Sequence, residues 1–192
     1  MVCAILIVRK WAVMRKTPYM AKVYFLLAAF FIALPTIGSQ FYNGQTGRFL
    51  VASEHLSGGV FGESVIYIVK HNLFGAYGLV INKPLSPEQL EPLALQNIDA
   101  VIYAGGPVGV TDNFSVLVAD DPSHLRDVFI YKATSDLIDL GQKQYPYQQI
   151  YIGYSGWGPL QLEMEILRGS WAIISEPTDI IFDREGHSEL WW

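Results

Sequence analysis

At 192 residues, 51% hydrophobic and 16% charged, the chain is long enough for one domain with a real core and too apolar for a disordered or coiled-coil sequence. Arg9, Lys10, Arg15, Lys16 and Lys22 face no acid in the first forty residues, whereas the rest carries 8 bases against 18 acids, a balance of −10. Those 8 bases are scattered, so direct nucleic-acid binding is not expected, and Cys3 as the sole cysteine excludes a disulfide, a thiolate nucleophile or a Cys-ligated zinc in the body.

Residues 1–40 read as a leader. Val23 to Leu34 is an unbroken apolar run, preceded by Arg15, Lys16 and Lys22 and followed by Pro35, Gly38 and Ser39. Positive, then apolar, then small is the order of a secretory signal. The run is short against the roughly 20 apolar residues a spanning helix needs. A signal peptide or membrane anchor, hence export or inner-membrane anchoring, is the expectation. An uncleaved anchor fits Thr36 or Ile37 at the upstream small-residue position, and a buried hydrophobic helix is the plainer alternative. Met1 to Val13 sits poorly ahead of the run, which points to Met14 or Met20 as the start.

The body, residues 44–192, opens with a strand at Phe49–Ala52. Val65–Val69, apolar and β-branched, predicts a central strand. Gly75–Gly78 reads as a turn into a strand at Leu79–Asn82. Ser86-Pro87-Glu88-Gln89 predicts a helix start with a capping box, with Leu90, Leu93 and Ala94 as its buried stripe. Strands follow at Ala100–Ala104, Phe114–Val118 and Val128–Tyr131, with Ala119–His124 as a polar loop. A short helix capped by Ser135 or Asp136 runs through Leu140 to Gly141. A strand at Gln149–Gly153, a helix at Leu160–Arg168 and a strand at Trp171–Ile174 complete the pattern. Strands in runs with single inserted helices favour an α+β domain.

The densest punctuation is Gly153-Tyr154-Ser155-Gly156-Trp157-Gly158-Pro159-Leu160-Gln161-Leu162-Glu163. It starts like a nucleophile elbow, but Trp157 stands where the elbow needs glycine, and neither a base nor an orienting acid can be assigned to Ser155. It also starts like a dinucleotide fingerprint, but Gln161 replaces the last glycine and no regular βαβ unit surrounds it. Free amides at the helix start, with Gly158 at the cap, would suit a small anion, with Glu163 competing for the same place. Gly153, Ser155, Gly156, Trp157 and Gly158 are therefore the candidate ligand-binding residues. The plainer reading is a tight turn with Trp157 packed in the core.

His55, His71, His124 and His187 form no metal-ligand pair by spacing, so no metal site is expected. His71 is expected to bond a neighbouring loop. Glu163 and Glu165, two apart on a helix, point to different faces. No catalytic constellation and no cofactor emerge, which favours a non-enzymatic binding or regulatory domain whose partner, protein or small molecule, is open. An enzyme or binder for a nucleotide, flavin or phosphate compound at the glycine-rich turn is the alternative.

Several segments carry a resemblance. They are Phe49–Ser53; Phe61 with Ser64–Ile68; His71 followed by Gly75-Ala76-Tyr77-Gly78-Leu79-Val80-Ile81-Asn82-Lys83-Pro84; Gly105-Gly106-Pro107-Val108; Ala133–Asp136; and Gly153–Gly158 with Gln161-Leu162-Glu163. In this order the chain resembles the YqgE/AlgH family over about Gly47 to Phe182. The resemblance implies an α+β fold with a mixed sheet curled toward a small barrel and surrounded by helices. It also implies a link to transcriptional regulation of exopolysaccharide genes in some bacteria, and a cytoplasmic location for most members. No settled activity comes with it. The chain departs from the pattern at Glu54 (proline in relatives), Val118 (often histidine) and Leu160 (commonly glycine), and it stops at Trp191-Trp192, where relatives continue into a closing helix.

Overall fold

The computed structural model describes residues 44–93, 95, 98, 100–132 and 145–183. The segment expected as a leader (with Cys3), residue Ala94, the short helix expected at Ser135–Leu140, His187 and Trp191-Trp192 lie outside the described residues.

Nine strands run through the described residues: β1 (Phe49–Ala52), β2 (Val65–Asn72), β3 (Gly75–Val80), β4 (Ile102–Ala104), β5 (Phe114–Ala119), β6 (Asp127–Tyr131), β7 (Tyr147–Ile152), β8 (Ser155–Trp157) and β9 (Trp171–Ile174). Three short α-helices accompany them, α1 (Pro87–Leu90), α2 (Gln161–Leu167) and α3 (Asp179–Phe182), with two 3-10 turns at Glu54–Leu56 and Glu91–Leu93. The fold is α+β, as expected. The strands form two sheets in place of a single mixed one: a five-stranded antiparallel sheet in the order β8-β3-β2-β1-β9, and a four-stranded sheet in the order β4-β7-β5-β6 with β4 and β7 parallel. No closed barrel forms among the described residues. The sheets meet along the extension of β3, where Val80 N–H donates to Gly105 O (2.9 Å), Ala104 N–H to Lys83 O (2.8 Å) and Leu85 N–H to Ile102 O (2.8 Å).

Alternation along the strands explains why their sequences read as continuous apolar runs. Phe49, Val65, Tyr67 and Leu79 face a core shared with Leu117 and Tyr151 of the second sheet. Their neighbours Leu50, Ile66, Ile68 and Val80 face a second core under α2, with Trp157, Leu162 and Trp171. The far side of the four-stranded sheet packs Phe114, Val116, Ile150 and Ile152 with Leu95, against Leu90 and Leu93. Strands buried on both faces have no polar side to show. Each fully buried large side chain contributes about 2 kcal/mol.

The turn before β3 differs from the sequence expectation. Gly75 to Gly78 is not a turn: the turn is at residues 73–74, and β3 starts at Gly75 opposite Asn72. Gly78 lies in mid-strand because a Cβ there would meet Ile66 Cγ2 at 2.7 Å. The capping box at α1 forms as expected, with Ser86 N–H donating to Gln89 Oε1 at 2.9 Å.

Candidate functional site

The glycine-tryptophan corner is part strand and part turn. Gly153, the residue after β7, has φ of 69°, and a Cβ there would sit on the Gly106 carbonyl oxygen. This is the conformation and the close approach that glycine alone tolerates. The next residues form β8, pairing Ser155 with Gly78, Gly156 with Tyr77 and Trp157 with Ala76. Ser155 is fully buried, and its hydroxyl donates to Gly105 O at 3.3 Å. A substrate has no access to that oxygen.

Trp157 is buried, as expected of the plainer reading, and its partners explain why. Its indole N–H donates to Glu165 Oε2 at 2.8 Å, and the indole N–H of Trp171 donates to the same oxygen at 2.8 Å. The two rings meet edge to face at 6.1 Å, with Phe61 beside both. Glu165 Oε1 accepts from Gln161 Nε2 at 2.9 Å. One carboxylate thus satisfies two indoles that would otherwise be buried without partners.

The helix start differs from the sequence reading. Leu160, not Gly158, is the N-cap, held left-handed at φ 62° and ψ 0°, and α2 begins at Gln161. The Gly158 N–H left open for an anion donates to Gln161 Oε1 at 3.0 Å. Glu163 in the first turn of α2 is also engaged: its Oε1 lies 3.0 Å from His71 Nε2. His71 is 2% exposed, and its Nδ1 accepts from Gln45 N–H at 3.0 Å, which puts the ring proton on Nε2 facing the carboxylate. His71 therefore bonds the loop before β1, as expected, and the helix as well. Glu163 and Glu165 serve separate partners, in keeping with their spacing.

Elsewhere, Lys83 Nζ donates to Val60 O (3.2 Å) and Gly62 O (2.8 Å), and burial lowers its pKa. Asn82 holds the same loop through Val65 N–H and Glu63 O. Asp121 and His124 both bond Ser123 in an exposed loop, without the acid-to-imidazole contact a triad requires. Among the described residues no group of three His, Cys, Asp or Glu side chains could hold a metal, and no helix is long and apolar enough to cross a membrane.

Beside the corner is a feature the sequence did not single out. An open groove of about 240 Å³ lies at the tip of the β2–β3 hairpin, between Lys70, Asn72, Phe74, Gly75, Tyr77 and Trp157. Its one signal in the sequence is Phe74, an aromatic residue next to a hairpin glycine, where polar residues are the rule.

Comparison with known proteins bears on this architecture. The AlgH-like family pattern matches residues 49–192. A UPF0301 protein of Methylococcus capsulatus is 36% identical over 155 residues, covering 73% of this chain and 84% of that protein. Another from Shewanella loihica is 33% identical over 158 residues, covering 74% and 84%. The solution structure of the AlgH protein from Pseudomonas aeruginosa superposes with a TM-score of 0.57 at 27% identity, over 75% of this chain and 84% of that one. By pattern, by relatives and by fold, the chain belongs to the YqgE/AlgH family.

Proposed function

We propose that this chain is a non-enzymatic binding domain with a regulatory role. One observation supports it above others: the polar groups of the corner are consumed by the fold. Ser155 Oγ bonds Gly105 O, Glu165 is shared by Trp157 and Trp171, and Glu163 bonds buried His71. Groups that must make and break bonds need access and a free partner for proton transfer. The regulatory part rests on the family's link to exopolysaccharide gene control. The −10 balance of the body favours action through a protein or small molecule over direct DNA contact. Membrane attachment through Val23 to Leu34 belongs to the same proposal. Cell fractionation tests it: processed or membrane-bound protein is expected, and full-length soluble cytoplasmic protein contradicts it.

A second reading, a small anionic ligand such as a nucleotide, flavin or phosphate compound at the glycine-rich turn, draws support from the adjoining groove and its lysine. A thermal-melt screen of the full chain against these compounds tests it, because a ligand that prefers the native state raises the melting temperature. A reproducible rise supports binding, and a flat response across the whole set contradicts the anion reading.

A further inference from the structure

The groove at the hairpin tip has the makings of a selective site. Lys70 pairs with Tyr77 and Asn72 with Gly75, so by strand alternation all four belong to one face of the sheet. Gly75 gives the groove a bare floor. At φ 135° a side chain there would collide with the Trp157 carbonyl, so only glycine lets the hairpin lie against β8. Phe74, 67% exposed, stands beside this floor with its ring in water. Lys70 is exposed and forms no ion pair with a described residue, and the described residues of the lining include no carboxylate. In a body with ten more acids than bases, that leaves the groove locally positive.

An open groove of about 240 Å³ has room for one or two fused rings. We propose that the groove binds a planar aromatic anion, its ring against Phe74 and its charge on Lys70. This rests on the anion reading above and moves the contact from the Gly158 amide, which Gln161 occupies, to the neighbouring hairpin. The same chemistry is offered by a nucleoside monophosphate and by an aromatic carboxylate, and the test separates them.

Calorimetric titration of the full chain with AMP and with 2-naphthoate is the experiment, with adenosine, 2-naphthamide and inorganic phosphate as controls. At least one aromatic anion should bind, with its neutral counterpart and phosphate each weaker by about fivefold or more. Lys70→Ala and Phe74→Ala should each weaken binding by about fivefold, Lys70→Arg should retain it, and Arg168→Ala, outside the groove, should leave it unchanged. Binding of AMP alone assigns the nucleotide source, and binding of 2-naphthoate alone the carboxylate source. Anion binding that survives both Lys70→Ala and Phe74→Ala overturns the groove while leaving the anion reading in place. Failure of both anions at millimolar concentration overturns the groove, and the wider melt screen then decides the anion reading independently.

Discussion

His71 Nε2 lies 3.0 Å from Glu163 Oε1 and ties β2 to α2 across 92 positions of sequence. The same imidazole holds Gln45 N–H, and Thr46 Oγ1 accepts from His71 N–H at 2.8 Å, so one buried residue anchors the entry to the domain. His71→Phe should cost about 2 kcal/mol, since it removes two bonds and leaves Gln45 N–H without its acceptor. Glu163→Gln should cost less than about 1 kcal/mol, because the amide oxygen still accepts from Nε2–H. Urea unfolding followed by circular dichroism measures both, and equal costs would show that the carboxylate charge matters more than the bond.

Glu165 carries a heavier structural load than its neighbour. Glu165→Ala leaves the Trp157 and Trp171 indole N–H groups without partners in a packed core, at an expected cost of about 2–4 kcal/mol. Glu165→Gln retains an acceptor and should cost about half as much. Unfolding midpoints together with tryptophan emission read this out. A loss under about 1 kcal/mol for Glu165→Ala would mean that the indoles find other partners.

Leu160 is strained and 62% exposed, with φ at 62°. A non-glycine residue in this region costs about 1–2 kcal/mol, and glycine returns about half of that as unfolded-chain entropy. Leu160→Gly should therefore stabilise the domain by about 0.5–1 kcal/mol. Gly158→Ala should be neutral within about 0.5 kcal/mol, because the nearest atom to its Cβ is Gln161 Oε1 at 3.8 Å. Gly153→Ala should destabilise by more than about 2 kcal/mol, because both its φ and its contact with Gly106 O exclude a side chain. The order of the three melting temperatures is the check.

Alkali should unfold the domain through its buried phenols. Burial raises the Tyr67 pKa, raises that of Tyr77 against a partly opposing hydrogen bond from Ser115, and raises that of Tyr151 furthest. The folded state keeps these protons while the unfolded chain loses them near pH 10, so stability is intact below that pH and falls above it. Each such group steepens the fall by up to about 1.4 kcal/mol per pH unit. Tyr151→Phe, which removes the hydroxyl bonded to Gln149 Oε1, should flatten the decline between pH 10 and 11 in urea midpoints.

What could be read from sequence was whatever local chemistry dictates. β1 and β9 appear with the expected bounds, because four apolar residues between breakers leave little choice. The α1 capping box was legible because its partners are three residues apart. β2 runs past Val69 to Asn72 because pairing with β3, not apolarity, carries those polar residues. β8 escaped notice because three residues with a central glycine have no strand signature and are held by distant Ala76 to Gly78. The same holds for the site. That Glu163 and Glu165 diverge follows from helix spacing, but that one meets His71 and the other two tryptophans is a fact of tertiary packing. The groove joins Lys70 and Phe74 of the β2–β3 hairpin to distant Trp157 of β8, and no spacing rule links the two segments.

The central claim is that the domain binds without making or breaking bonds. The direct measurement is mass spectrometry of the compound that most raises the melting temperature, after prolonged incubation with the full chain. The compound should be recovered unchanged, with Ser155→Ala and Glu163→Gln indistinguishable from the parent chain. Conversion of the compound that either substitution abolishes would contradict the account.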